Sequence, residues 1–137
     1  MAVEINVTYE GSLRCEATHA PSGNRFLTDA PVDNQGKGES FSPTDLVATG
    51  LATCVLTTIA LVAGRRGVDL GKMSARVLKE MHPDPPRRIG KLLLTVTMPP
   101  GIPEEDRKVY DRTAHTCPVH RSLHPDIEAP IEFVYPD

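Results

Sequence analysis

The sequence predicts an α+β fold in which antiparallel sheets pack on one long, buried central helix. Three observations support this fold class. Apolar and polar residues alternate near both ends of the chain, a segment over residues 46–63 contains no charge, and two further strand-like runs flank residues 84–86. Alternation with a period of two is typical of half-buried strands, and a long uncharged apolar segment is typical of a buried helix.

The first predicted elements are strands. Residues 3–10 alternate strictly, Gly11-Ser12 is a two-residue hairpin signal, and residues 13–18 alternate again. A short strand over residues 25–29 follows a turn, and residues 30–41 form a polar loop with two glycines.

The long helix has a clear start. Ser42 suits the N-cap, Pro43 the first helical position and Asp45 the third, where a carboxylate favours the positive helix end. The segment 64–67, Gly-Arg-Arg-Gly, ends the helix with cations and glycine. Because the helix is apolar nearly all round, we expect it to be covered on most sides.

Residues 72–81 and 88–98 are predicted to form a hairpin around Asp-Pro-Pro, residues 84–86. A polar helix begins near Pro103, and Cys117-Pro118 begins a short helix that continues to about residue 123. Apolar and polar residues alternate over residues 127–135, which predicts a last strand. Because proline lacks a backbone N–H, Pro130 indicates that this strand lies at a sheet edge or begins later than residue 127. The predicted order is βββ-α-ββ-α-α-β, with antiparallel pairing.

Length and composition limit the function classes. A chain of 137 residues predicts a single domain over residues 1–137. A net charge of −3 and the lack of Trp argue against a nucleic-acid partner. The alternating N-terminus lacks the pattern of a secretory signal, and three cysteines are too few for a disulfide scaffold. We therefore expect a reducing, cytoplasmic location.

The uncharged segment 46–63 is at the lower limit of a membrane span. Its four threonines and one glycine make it only moderately hydrophobic, so we expect a core helix and no membrane. Gly50, Cys54 and Thr58 lie four residues apart on one face, which would allow another helix to approach closely. We expect an interwoven homodimer in which a second subunit covers this helix.

Cysteines are the strongest candidates for chemistry. Cys117 precedes Pro118 at a predicted N-cap, a position that favours a thiolate. Cys54 lies in the middle of the long helix, a position that by itself favours a buried core thiol, since free cysteine is among the most buried residue types. Cys15 shares a strand face with apolar neighbours and is expected to be a packing residue.

A metal site at the short helix is an alternative use of its cysteine and histidines. Cys117, His120 and His124 fall on one face of the short helix, and zinc accepts mixed Cys and His ligands. The sequence signals no fourth ligand, so no metal is expected. His120 could instead raise the reactivity of Cys117.

Three segments together resemble the OsmC/Ohr superfamily, the osmotically inducible protein C and organic hydroperoxide resistance proteins. They are FSPTDL (residues 41–46) leading to ATC (52–54), DPPRRIG (84–90) and CPVHRSL (117–123). The resemblance implies an OsmC-like fold and an intertwined homodimer with sites at the subunit interface.

The resemblance also implies a thiol-dependent peroxidase acting on small organic hydroperoxides. Cys54 would become a sulfenic acid and Cys117 would resolve it as a disulfide. No bound cofactor is implied; the reductant would be an external dithiol protein, often one that carries a dihydrolipoyl group. Arg14, Arg25, Glu39, Asp45 and His120 are the charged or titratable candidates for activating the thiols.

Two further hypotheses stay open. Thr44 stands where the resembled family carries an activating Glu ten residues before the first cysteine, which favours a non-catalytic protein of the same fold that binds a small ligand at the dimer interface. A metal-binding protein using Cys117, His120 and His124 is the third hypothesis.

Overall fold

The computed structural model describes residues 1–136, which form two compact units divided between Val47 and Ala48. The first unit contains strands β1 (Ile5–Gly11), β2 (Arg14–His19) and β3 (Arg25–Leu27), a 3₁₀ turn (Val32–Asn34) and the start of helix α1 (Pro43–Arg65). The second contains the rest of α1, strands β4 (Ser74–Met81) and β5 (Ile89–Thr97), helices α2 (Glu104–Ala114) and α3 (Pro118–Ser122), and strand β6 (Ile131–Val134). The predicted α+β order is confirmed.

The first unit is built on an antiparallel sheet in the order β1-β2-β3. The turn between β1 and β2 is centred on Ser12 and Leu13, with φ of 55° and 62°, one residue later than predicted. Positive φ at both central residues is the geometry that matches the twist of a two-residue hairpin. Ile5, Val7 and Tyr9 on β1 are 61%, 60% and 66% exposed, so the strand's apolar face is not covered.

The second unit is built on a sheet in the order β4-β5-β6. The β4–β5 hairpin is antiparallel as predicted, but β6 pairs with β5 in parallel, from Leu94 opposite Ile131 to Thr97 opposite Val134. The expectation of purely antiparallel pairing is therefore wrong here. Helices α2 and α3 carry the chain back before β6 begins, and such a crossover permits a parallel neighbour. Strand β6 begins late, after Pro130, and lies at an edge, as expected.

The core of the second unit forms between one stripe of α1 and one face of β5. Leu51, Val55 and Ile59 are fully buried on the helix, and Leu92 and Leu94 are fully buried on the strand. Spacings of four on the helix and two on the strand are those that place side chains on a single face. This pairing fixes the rotation of α1 about its axis, and with it the direction in which Cys54 points.

The chain by itself buries helix α1 along one stripe, and the cover expected from a second subunit stays a prediction. Its buried residues form a single stripe, whereas Val47 and Leu61 are 38% and 56% exposed. The β5 face contacts one side of a helix only, so the opposite side is left open by the chain itself. By length and composition α1 is the one helix within residues 1–136 that could cross a membrane, a property shared by core helices of soluble proteins.

Candidate active site

The start of α1 is fixed by two reciprocal hydrogen bonds. The backbone N–H of Asp45 donates to Ser42 Oγ at 3.1 Å, and the backbone N–H of Ser42 donates to Asp45 Oδ2 at 2.9 Å. This is a capping box, in which each residue satisfies a backbone donor of the other. The predicted N-cap is confirmed, and Asp45, one of the activating candidates, serves here as a cap.

Cys54 is half-buried on α1, where it packs against the core of the second unit. Its Sγ lies 4.0 Å from Thr58 Oγ1, one helical turn along. Beside it is a groove of about 560 Å³. The groove is lined by Gly50, Thr53, Cys54, Thr57, Thr58, Leu61, Pro118 and Val119. The side of α1 that carries Cys54 is therefore next to the start of α3.

Cys117 is the N-cap of α3, as predicted. Its Sγ accepts a hydrogen bond from the backbone N–H of His120 at 3.2 Å, and Pro118 begins the helix. The side chain is fully buried. A thiol here satisfies a backbone donor that would otherwise lack a partner at the helix start.

The segment that begins at Cys117 lies beside the groove that Cys54 lines, because Pro118 and Val119 line the same groove. Burial is the main cause that raises the pKa of the Cys117 thiol; the N–H of His120 lowers it, and a side-chain hydrogen bond and the charge of Cys54 raise it further. Both are free thiols in this structure.

Arg14 lies in a charged cluster of the first unit. It forms ion pairs with Asp29, at 3.4 Å, and with Glu39. The backbone N–H of Glu39 also donates to Asp29 Oδ2 at 3.1 Å. The hydrogen bond from the Glu39 N–H lowers the pKa of Asp29, burial opposes this, and the Arg14 charge lowers it further.

Asp29 was missed by sequence reasoning. It is 1% exposed, and its Oδ1 has no hydrogen-bond partner among residues 1–136. The available signal was its position: an acidic residue that directly follows a short strand and precedes a polar loop. Arg14, Asp29 and Glu39 border a cavity of about 520 Å³, which Arg25 also lines. Arg25 itself pairs with Glu16 at 3.6 Å and is 66% exposed.

The histidines do not assemble a metal centre. His120 places Nε2 at 3.3 Å from the carbonyl oxygen of Ala129 and packs its ring edge-to-face against His115. His124 Nδ1 accepts the backbone N–H of Asp126 at 3.0 Å. Within residues 1–136 there is no group of three or more His, Cys, Asp or Glu side chains able to hold a metal. The metal-binding hypothesis therefore has no site in this part of the chain.

A family model described as "OsmC-like protein" matches residues 36–132, which include both cysteines and the capped helix start. The chain belongs to the OsmC-like protein family. The resemblance of its three motifs to this family is thereby confirmed. Among curated proteins there is no significant match.

Solved structures support the same assignment of this OsmC-like protein. A candidate osmotic stress induced and detoxification response protein from Psychrobacter arcticus 273-4 is 45% identical over 95% of this chain and 94% of that chain, with a TM-score of 0.89.

Two more distant structures share the fold. An organic hydroperoxide resistance protein OsmC from Legionella pneumophila is 16% identical over 97% and 96% of the two chains, with a TM-score of 0.78. The organic hydroperoxide resistance protein OhrB of Bacillus subtilis is 17% identical over 98% of each chain, with a TM-score of 0.72.

Proposed function

We propose that this OsmC-like protein is a thiol peroxidase that reduces organic hydroperoxides through Cys54 and Cys117. The observation that carries the proposal is the groove beside Cys54, which is also lined by Pro118 and Val119, the two residues that directly follow Cys117. Family membership supports the same class of activity, since relatives of this fold include organic hydroperoxide resistance proteins. The cytoplasm, where thiols are kept reduced, would suit such a pair.

The chemistry takes place in two steps. The Cys54 thiolate attacks the outer oxygen of the hydroperoxide, the O–O bond breaks, and the alkoxide leaves and takes up a proton to become an alcohol. Sulfur is oxidised to a sulfenic acid as the peroxide is reduced. The Cys117 thiol then attacks this sulfur, a disulfide forms and water leaves; an external dithiol protein reduces the disulfide by exchange.

The groove beside Cys54 supports a substrate with an apolar organic part. Leu61, Pro118 and Val119 supply apolar surface there. Thr53 donates its hydroxyl to the carbonyl oxygens of Thr49 and Gly50 at 2.9 and 3.2 Å, so this donor is used by the helix backbone. An alkyl chain would gain from burial against such a surface, by about 0.8 kcal/mol for each CH₂ group. Hydrogen peroxide has no such group to bury.

The working form is proposed to be a homodimer. The half of α1 that the chain leaves open, including Leu61, and the exposed apolar face of β1 are surfaces that a second subunit could cover. Exposed apolar surface of this kind is typical of protein–protein contacts. Sedimentation velocity is expected to give a mass of two chains; a single-chain mass at micromolar concentration would contradict the dimer.

Peroxidase activity is tested by following the consumption of an alkyl hydroperoxide with a small dithiol as reductant. Wild type is expected to turn over, and Cys54→Ser to lose turnover. Cys117→Ser is expected to complete one reduction and then accumulate the Cys54 sulfenic acid. Cys15→Ser is the matched control. Cys15 lies on β2 in the first unit, so this variant is expected to keep full activity. Turnover that is unchanged in Cys54→Ser would refute the proposal.

A second candidate is a non-catalytic protein of the same fold that binds a small ligand. The observation in its favour is the complete burial of Cys117, which raises the pKa of that thiol and slows any attack by it. For this candidate, peroxide treatment would leave the thiols reduced. Counting thiols before and after treatment therefore separates the two functions.

A further inference from the structure

Three other threonine hydroxyls donate to backbone carbonyls of their own helix or turn. Thr113 donates to Val109 at 2.7 Å, Thr116 to Thr113 at 2.7 Å, and Thr53 to Thr49 at 2.9 Å. Such bonds are the usual outcome for threonine in a helix. The hydroxyl group of Thr58 differs from this pattern.

For Thr58, the hydrogen-bond partner that the described residues provide is the sulfur of Cys54, at 4.0 Å. The two residues are four apart on α1, so they are neighbours on one face of the helix. Both are half-buried and both line the groove. Burial contributes most to the raised pKa of the Cys117 thiol, and Cys54 raises it further.

We infer that Thr58 is an activating residue, whose hydroxyl donates a hydrogen bond to the Cys54 sulfur and stabilises its thiolate. A hydroxyl gains little from a neutral thiol, which is a weak acceptor, but hydrogen bonds to an ionised acceptor are about twice as strong. The hydroxyl therefore favours the form of sulfur that attacks. This role deepens the proposed peroxidase function on which it rests, while its effect on the thiol can be measured separately.

The test uses the full chain and the rate of alkylation of Cys54 by iodoacetamide over a range of pH. Tryptic cleavage after Lys37 and Arg65 places Cys54 in a peptide free of the other two cysteines, so mass spectrometry reads this site alone. Thr58→Val keeps the branched shape but removes the hydroxyl. Its alkylation near neutral pH is expected to fall by about tenfold, with the pH–rate profile moved to higher pH.

Two comparisons separate hydrogen bonding from packing. Thr58→Ser keeps the hydroxyl and is expected to restore the wild-type profile. Thr49→Val makes the same chemical change on α1 outside the groove and is expected to leave the profile unchanged. If Thr58→Val fails to fold, Thr58→Ala takes its place. The inference would be overturned if Thr58→Val or Thr58→Ala gave the same pH–rate profile of Cys54 alkylation as wild type. It would also be overturned if Thr58→Ser were alkylated as slowly as Thr58→Val.

Peroxide turnover measured on the same variants distinguishes the two proposals. If wild type consumes no hydroperoxide but the alkylation profile of Thr58→Val is moved to higher pH, the peroxidase proposal is refuted and the role of Thr58 as donor to the Cys54 sulfur stands. Turnover by wild type with an unchanged Thr58→Val profile would refute the role of Thr58 alone.

Discussion

Removing the carboxylate of Asp45 should weaken the start of α1 by a measurable amount. In Asp45→Ala, the backbone N–H of Ser42 loses its acceptor, Asp45 Oδ2, which lies at 2.9 Å. Ser42 is only 1% exposed, so water cannot readily replace that acceptor. Loss of a helix cap costs about 1 kcal/mol, and loss of a negative charge at the positive helix end adds about 0.3–1 kcal/mol. We therefore expect the free energy of unfolding to fall by about 1–2 kcal/mol.

Urea denaturation followed by circular dichroism measures this change, at one protein concentration for every variant so that association does not alter the comparison. With an unfolding entropy of about 2.1 cal/mol/K per residue, the melting temperature should fall by about 3–7 °C. Asp45→Asn is the matched control. It keeps an acceptor oxygen but not the charge, so it should lose only about 0.3–1 kcal/mol. If Asp45→Ala stays within about 0.5 kcal/mol of wild type, the cap does not stabilise the helix as described.

Three further predictions concern the core and the titrating groups. Leu51→Ala should cost about 2–5 kcal/mol in urea denaturation, whereas Leu78→Ala, at a 41% exposed position, should cost much less; equal losses would contradict the described core. The pKa of Asp29 is lowered from its ordinary 3.8, so the stabilising contribution of its carboxylate is present above that value and is lost as pH falls through the folded-state pKa. Asp29→Asn should therefore flatten the acid limb of the curve of stability against pH. An acid limb equal to that of wild type would contradict this prediction. The pKa of Cys117 is raised from 9.0, so the stabilising contribution of its neutral thiol is present below that pH and is lost as pH rises through the folded-state pKa. The loss of stability at alkaline pH should therefore be weaker in Cys117→Ala than in wild type. Identical alkaline limbs of the two stability curves would contradict this prediction.

Sequence reasoning succeeded where a local pattern has one physical meaning. The Ser42–Asp45 cap and the Cys117 cap were both predictable, because short polar side chains before a proline-started helix have backbone donors within reach. The element order followed from period and turn residues. The family resemblance rested on the segments at these two helix starts and on residues 84–90 of the hairpin.

The remainder depends on partners distant in sequence. The alternation of Ile131–Val134 marks a strand but does not specify whether its neighbour runs parallel or antiparallel. The all-apolar surface of α1 concealed which stripe meets β5, and thus how much of the helix the chain itself covers. Asp29 gave no pattern of its own, since its importance comes from Arg14, fifteen positions away. Thr58 was visible only as a small residue on a stripe until its hydroxyl could be placed beside a sulfur.

The hydrogen bond from the His120 amide to Cys117 Sγ gives α3 a built-in reporter of sulfur chemistry. A thiolate holds that amide more strongly than an uncharged sulfur does, because a charged acceptor makes the stronger bond. The amide resonance of His120 in a heteronuclear NMR spectrum should therefore move whenever Cys117 ionises or becomes part of a disulfide. Oxidation could thus be followed residue by residue without attaching any label to the thiols.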